Sequence, residues 1–136
     1  MGCDTRNNDQ VSNRNLRNNN ICETLRRIEQ VQKEALLASA CGRDLTSCDS
    51  SLIAAVFNTK PISIYTSEGI FEATVGPNGP FTRLFRVEDV KGCDVVVLRL
   101  LTLENGVYTC TPYTCIFKID CICCLQCFDP TNCPIC

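Results

Sequence analysis

Residues 93–111 read CDVVVLRLLTLENGVYTCT, and this stretch decides the fold. Cys93–Leu103 is the most apolar segment of the chain, consistent with a central strand covered on both faces. Asn105-Gly106 follows, the residue pair that best tolerates the positive φ angles of a two-residue hairpin, and the chain returns through Val107–Thr111. A hairpin of this length needs further strands to cover it, so the neighbouring segments are read for the same period.

Downstream, Thr114–Gln126 alternates along a strand. Cys115, Phe117, Ile119, Cys121, Cys123 and Leu125 take one face; Lys118, Asp120 and Gln126 share the other with Ile116, Ile122 and Cys124. Upstream, Ile53–Phe57 and Ile62–Thr66 flank Asn58-Thr59-Lys60-Pro61, where Pro61 marks a strand start or an edge. Ser67-Glu68-Gly69 turns the chain into Ile70–Val75, and Gly76-Pro77-Asn78-Gly79-Pro80 is a loop signal. Phe81, Arg83, Phe85 and Val87 then alternate with Thr82, Leu84, Arg86 and Glu88. About seven strands at close, regular spacing predict a mainly β protein, an antiparallel β-sandwich or jelly-roll-like fold.

One helix precedes the strands. Asn20 is a good N-cap and Glu23 completes a capping box. Ile21, Leu25, Ile28, Val31, Ala35 and Ala38 recur at helical spacing, with Arg26, Arg27, Gln30, Lys33 and Glu34 elsewhere, until Gly42 stops the helix. The organisation expected is a flexible Asn/Arg-rich arm over 1–19, a helix over 20–41 and a turn-rich linker over 42–52. The β domain then occupies 53–127, and a cysteine-containing tail 128–136.

The chain has 136 residues, 13 of them cysteine, and no histidine. A domain this long buries roughly two-thirds of its unfolded surface, so a core is available without cross-links and the thiols exceed what folding requires. The net charge of −2 has no basic face behind it, which argues against nucleic acid as a partner. The apolar run Val95–Leu98, like every other in the chain, is far short of a membrane span. Residues 1–20 contain no apolar secretory signal, so synthesis in a thiol-reducing cytosol is expected. That compartment conflicts with the cysteine content. The odd number of thiols also points to pairing between chains.

Without histidine, a Cys–His nucleophile is excluded, and no enzymatic role or cofactor is expected. The pairs Cys124/Cys127 and Cys133/Cys136 have CxxC spacing and could present four thiolates to zinc, giving the alternative of a small cytosolic zinc-binding or metal-storage module. Their spacer, residues 128–132, is much shorter than the about 15–20 residues between the knuckles of zinc ribbons. Cys3, Cys22, Cys41, Cys48, Cys133 and Cys136 lie outside the strands and are the candidates for bonds between subunits. Cys93, Cys110, Cys115, Cys121, Cys123, Cys124 and Cys127 fall on strands, as disulfides within the domain or as reduced core residues.

Several segments resemble a known family. Asn58-Thr59-Lys60-Pro61-Ile62-Ser63-Ile64-Tyr65-Thr66, then Gly69, Phe71-Glu72-Ala73, Phe85-Arg86-Val87-Glu88 and Val97-Leu98-Arg99-Leu100-Leu101 look like the body of the CotY/CotZ/ExsY spore-coat and exosporium proteins. Cys121-Ile122-Cys123-Cys124-Leu125-Gln126-Cys127-Phe128 is similar to that family's cysteine-rich strand, and the resemblance covers residues 20–128. It implies a structural protein that self-assembles, commonly through hexameric rings, into a disulfide-locked sheet on the bacterial endospore. Such a protein is made in the mother cell without a signal, partners itself and other coat proteins, and meets oxidising surroundings when that cell lyses. The arm is Asn/Arg-rich where several members of the family carry histidines, and the tail Phe128–Cys136 does not map onto the family pattern.

Overall fold

The computed structural model describes residues 11–38 and 57–133, with helix side chains from Asn20 to Leu36. The helix α1 spans Val11–Ala38. The strands are β1 (Ile62–Thr66), β2 (Gly69–Ile70), β3 (Ala73–Thr74), β4 (Phe81–Thr82), β5 (Leu84–Lys91), β6 (Val95–Glu104), β7 (Val107–Lys118) and β8 (Cys124–Cys127). Every pairing among them is antiparallel. β8 lies against one edge of β1; the opposite edge of β1 is shared by β2 and β5, and β6 and β7 continue outward from β5. β3 and β4 form a separate two-stranded ribbon.

Asn105 and Gly106 close the β6–β7 hairpin at φ 53° and 79°, the left-handed pair that the turn requires. In the loop between β3 and β4 a side chain at position 79 has no space, since a Cβ on Gly79 would stand 1.6 Å from the carbonyl oxygen of Val75. Two irregularities bend the sheet. Glu88 is unpaired between the Val87–Leu98 and Asp89–Val97 pairs. Thr111-Pro112-Tyr113 bulges from β7 opposite Leu100, a place where the missing N–H of proline costs nothing. Thr111 mends that gap by donating its hydroxyl to the Leu100 carbonyl at 2.7 Å.

One face of the sheet is the core. Ile62, Ile64, Phe85, Val87, Val96, Leu98, Leu100 and Phe117 are buried there. Leu25, Ile28 and Cys22 of α1 cover one part, and Phe71 covers another by stacking on Phe85 and tilting against Phe117, at 5.4 and 4.6 Å between ring centres. The class is therefore mainly β and antiparallel with one N-terminal helix, as expected. A sandwich is compatible with this arrangement. Among the described residues, however, the layer over the sheet consists of α1 and the segment running into the short ribbon.

The helix also finishes the sheet. β1 meets β5 only at Ile62–Phe85, so beyond that point the edge of β5 has no strand beside it. Side chains of α1 take over. Gln32 donates to the Val87 carbonyl at 2.7 Å and accepts from the Lys60 N–H at 3.0 Å. Glu29 accepts from the Val90 N–H at 3.0 Å, and Arg26 donates to the Gly92 carbonyl at 2.7 Å. Buried backbone groups cost free energy unless paired, which is why a polar residue occupies the buried stripe of α1.

Five expectations change. The helix starts at Val11, so the arm foreseen over 1–19 is helical from that residue onward. The inward stripe runs through Cys22, Leu25, Ile28, Gln32 and Ala35, and Val31 is 59% exposed. The strand foreseen over 70–75 breaks because Phe71 turns into the core. The strand foreseen over 114–126 breaks at a 3-10 turn, Ile119–Cys121. On a continuous strand Ile119 and Ile122 would face opposite ways; residues three apart in a 3-10 turn align, and both are buried. β6 is buried along its core face; on the other face Leu101 is buried too, while Val95 and Val97 stay half-exposed. The linker 42–52 and the strand Ile53–Phe57, apart from Phe57 itself, fall outside the described residues.

Gln32 is 3% exposed and bonded on both sides of its amide, whereas Gln30 is exposed. Gln32→Ala strands a carbonyl and an N–H and is expected to lower stability by about 2 kcal/mol. Gln30→Ala is expected to stay within about 0.5 kcal/mol of the parent, both read by urea unfolding of oxidised protein.

Candidate functional site

The structure sorts the cysteines into two populations. Cys22 is bonded to Cys93 and Cys110 to Cys133, with Cα atoms 5.6 and 5.7 Å apart. Cys121 is disulfide-bonded as well. Cys115, Cys123, Cys124 and Cys127 are free thiols, and all but the half-buried Cys115 are exposed. The Cys22–Cys93 bond ties α1 to the β5–β6 turn across 71 residues, a loop whose closure stabilises by about 4 kcal/mol in the chain-entropy account. Cys110–Cys133 ties the end of the described chain to β7.

Cys22 and Cys133 were expected to bond between subunits; both bond within the chain instead. Cys22 sits on the buried stripe of α1, where a helix residue at the core meets the β5–β6 turn. Cys133 is 1% exposed. It is buried because Asn58 treats it as a strand partner: the side-chain amide donates to the Cys133 carbonyl at 2.6 Å and accepts from its N–H at 2.8 Å. Thr131 exchanges backbone hydrogen bonds with Thr59, at 3.0 and 2.8 Å. The segment after β8 is thereby stitched to the residues before β1.

Those residues are in turn held by charge. Arg86 is buried on the face of the sheet away from the core. Its Nε donates to the Thr59 hydroxyl at 2.9 Å and its Nη2 to the Asn58 carbonyl at 3.2 Å. Glu88, turned out by the bulge, pairs with Arg86 and accepts from Arg99 at 3.1 Å. Arg99 reaches on to the Thr111 carbonyl at 3.0 Å, beside the Cys110 end of the disulfide. Burial alone would raise the Glu88 carboxyl. The hydrogen bonds and charges of Arg99 and Arg86 outweigh it and hold the group below the ordinary glutamate range.

The exposed thiols lie on and just before β8. This strand pairs with β1 alone, Cys124 opposite Tyr65 and Cys127 opposite Ile62, which sets the two thiols on opposite faces. Three residues along a strand span about 10 Å. A disulfide needs Cα atoms about 4.4–6.8 Å apart. The CxxC pair of β8 therefore does not close on itself. Cys123, whose N–H donates to the Tyr65 carbonyl at 2.8 Å, is exposed beside them. One strand thus offers thiols in two directions, each open to a different partner.

Of the thiols expected to be reduced core residues or bonded within the domain, Cys115 is half-buried, and burial raises its thiol pKa. Cys93 and Cys110 are bonded within the domain. Cys123, Cys124 and Cys127 are neither bonded nor packed in the core. Cys3, Cys41, Cys48 and Cys136 lie outside the described residues. The four-thiolate zinc set of Cys124, Cys127, Cys133 and Cys136 is not available as such, because the sulfur of Cys133 is bonded to Cys110. Among the described residues no three Cys, Asp or Glu side chains converge to hold a metal ion, and no helix is long and apolar enough to cross a membrane. Asn58 and Gln32 were not singled out as site or core residues; a buried side-chain amide carries no periodic signal. No family model, curated protein or solved structure matches the chain.

Two outcomes are expected. Iodoacetamide applied to native protein without reductant modifies Cys123, Cys124 and Cys127 quickly and Cys115 slowly, since the thiolate is the nucleophile and burial disfavours it. Peptide mass spectrometry checks this, and labelling of Cys22, Cys93, Cys110 or Cys133 would contradict it. The second concerns acid. A carboxylate held low in the folded state stabilises the fold fully above its unfolded value, and that contribution is lost as pH falls through the lowered value. Glu88→Gln should therefore cost about 1–3 kcal/mol at neutral pH and flatten the acid limb of the stability profile, measured by urea unfolding at a series of pH values.

Proposed function

We propose that this chain is a structural subunit that assembles with copies of itself into a disulfide-cross-linked layer, of the kind that forms the bacterial spore coat or exosporium. The observation that carries this reading is the set Cys123, Cys124 and Cys127: exposed, reduced and unable to pair along β8. Exposed thiols that do not close along their own strand, in a protein whose other described cysteines are bonded or half-buried, are placed to bond another molecule. Two such thiols on opposite faces give each subunit more than one link, and multivalent subunits form networks instead of stopping at dimers.

The resemblance noted in the sequence supports the biological setting. Its cysteine-rich signature, Cys121–Phe128, includes all of β8, and its Asn58-Thr59-Lys60-Pro61 motif supplies the groups that grip the segment after β8. Oxidation after lysis of the mother cell, the setting that the resemblance implies, accommodates so cysteine-rich a chain. Rings, the hexamer among them, and other coat proteins as neighbours come from the resemblance. Each link contributes chiefly by slowing dissociation, since a covalent bond must be reduced before a subunit leaves. The zinc-storage alternative loses one of its four ligands to the Cys110–Cys133 bond.

Negative-stain electron microscopy of purified protein should show ordered sheets or stacked rings that loosen with reductant. The Cys123→Ser/Cys124→Ser/Cys127→Ser variant should fold with an unchanged melting curve yet give material that detergent disperses without reductant. A dispersed monomer in oxidising buffer would contradict the layer. Variant sheets as detergent-resistant as the parent's would contradict the assignment of the links to β8.

A further inference from the structure

The sheet has a second open margin. β7 pairs with β6 on one side and, among the described residues, with nothing on the other. Its free edge presents a row of unpaired N–H and C=O groups, which only another extended backbone can satisfy along its length. Proteins usually guard such edges with charge. Here Lys118, the last residue of the strand, is the one charge in the twelve residues of β7. Exposed apolar side chains concentrate on the same strand: Ile116 is 70%, Val107 64% and Tyr113 44% exposed.

We propose that the 113–118 edge of β7 pairs antiparallel with the same edge of a second copy, about a two-fold axis. The inference deepens the proposed layer by naming its non-covalent contact, and it rests on that reading for its setting. The occupant is a second copy because the edge is self-complementary. Pro112, which has no N–H to offer, and Lys118 bound the seven-residue span 112–118, and a symmetric pairing of that span centres on Cys115. Cross-strand partners share a face. Cys115 stands opposite Leu98, on the core face, and Ile116 and Thr114 stand opposite Val97 and Arg99, on the other. A register centred on Cys115 keeps every residue on its own face. It sets Ile116 of each copy beside Thr114 of its partner, and it places the two Lys118 side chains at opposite ends. β7 would then join subunits in pairs, and the β8 thiols at the far margin would join pairs into a layer. A closed two-fold contact alone stops at two copies, so a layer needs a second, different one.

The test uses the full chain carrying Cys123→Ser, Cys124→Ser and Cys127→Ser, without reductant so that the inner bonds stay closed, and with non-reducing gels to establish that no covalent link joins the copies. Light scattering should show a dimer forming with concentration, and amide exchange over 113–118 should slow by about tenfold on dimerisation. Ile116→Lys in this background should abolish the dimer with an unchanged melting curve, while Val31→Lys, at an exposed site on α1, should leave it intact. A monomer at all concentrations, a dimer with unchanged exchange at 113–118, or a dimer that survives Ile116→Lys would overturn the proposal. So would amides at 113–118 already protected in the monomer, because this chain itself would then cover the edge. If Ile116→Lys in the otherwise native chain still forms thiol-linked sheets, this contact is wrong and the layer stands. If the native chain forms no sheets in oxidising buffer, the layer itself fails.

Discussion

Five residues, Ile62–Thr66, organise the rest of the molecule. β1 gives one whole edge to β8 and divides the other between β2 and β5. Because it is short, β5 runs past it, and the uncovered part of β5 is where α1 docks through Gln32, Glu29 and Arg26. Because β8 pairs with it in a fixed register, Cys124 and Cys127 are committed to opposite faces. A slip of one residue would exchange those faces and turn Leu125 away from the core. Fold and thiol presentation thus depend on the same pairing.

The residues flanking β1 extend that control. Asn58 and Thr59, just before it, bind Cys133 and Thr131 and are themselves held by Arg86, whose charge is balanced by Glu88. A buried ion pair of this kind is weak evidence for stability in itself. Its effect here is geometric: it places the Asn58 amide where Cys133 must lie to meet Cys110. The Nε of Arg99 has no partner, the one buried side-chain atom in the described residues of which this is true.

Much of the sheet was legible because its signals are local. Asn105-Gly106 specifies a turn whatever surrounds it, and the apolar run Val95–Leu98 reports a strand, though not that Val95 and Val97 stay half-exposed. The readings that failed needed information from distant residues. Ile119 and Ile122 satisfy strand alternation or a turn equally well until the core decides that both must be buried. Gln32 went unmarked because its partners, the Val87 carbonyl and the Lys60 N–H, are a strand edge that no helical period announces. Cysteine pairing was the least legible. Cys22 and Cys133 were placed outside the core by their neighbours in sequence, and only the docking of α1 and the grip of Asn58 bring them to Cys93 and Cys110. The exposed trio on and just before β8 was misjudged for a related reason: alternation identifies which residues share a face, but it does not show that β8 lies at the margin of the sheet.

On the proposed reading, the two cysteine populations divide the work of one oxidising environment. The inner bonds brace each subunit, and the β8 thiols join subunits to one another. The most direct measurement mixes equal amounts of unlabelled and nitrogen-15-labelled chain, lets them assemble in oxidising buffer, and maps the non-reduced peptides by mass spectrometry. The account predicts disulfide-linked peptides of mixed isotope content at Cys123, Cys124 or Cys127, with Cys22–Cys93 and Cys110–Cys133 isotopically uniform. Mixed isotopes confined to the inner pairs, or β8 cysteines that are free or joined only within one chain, would contradict it.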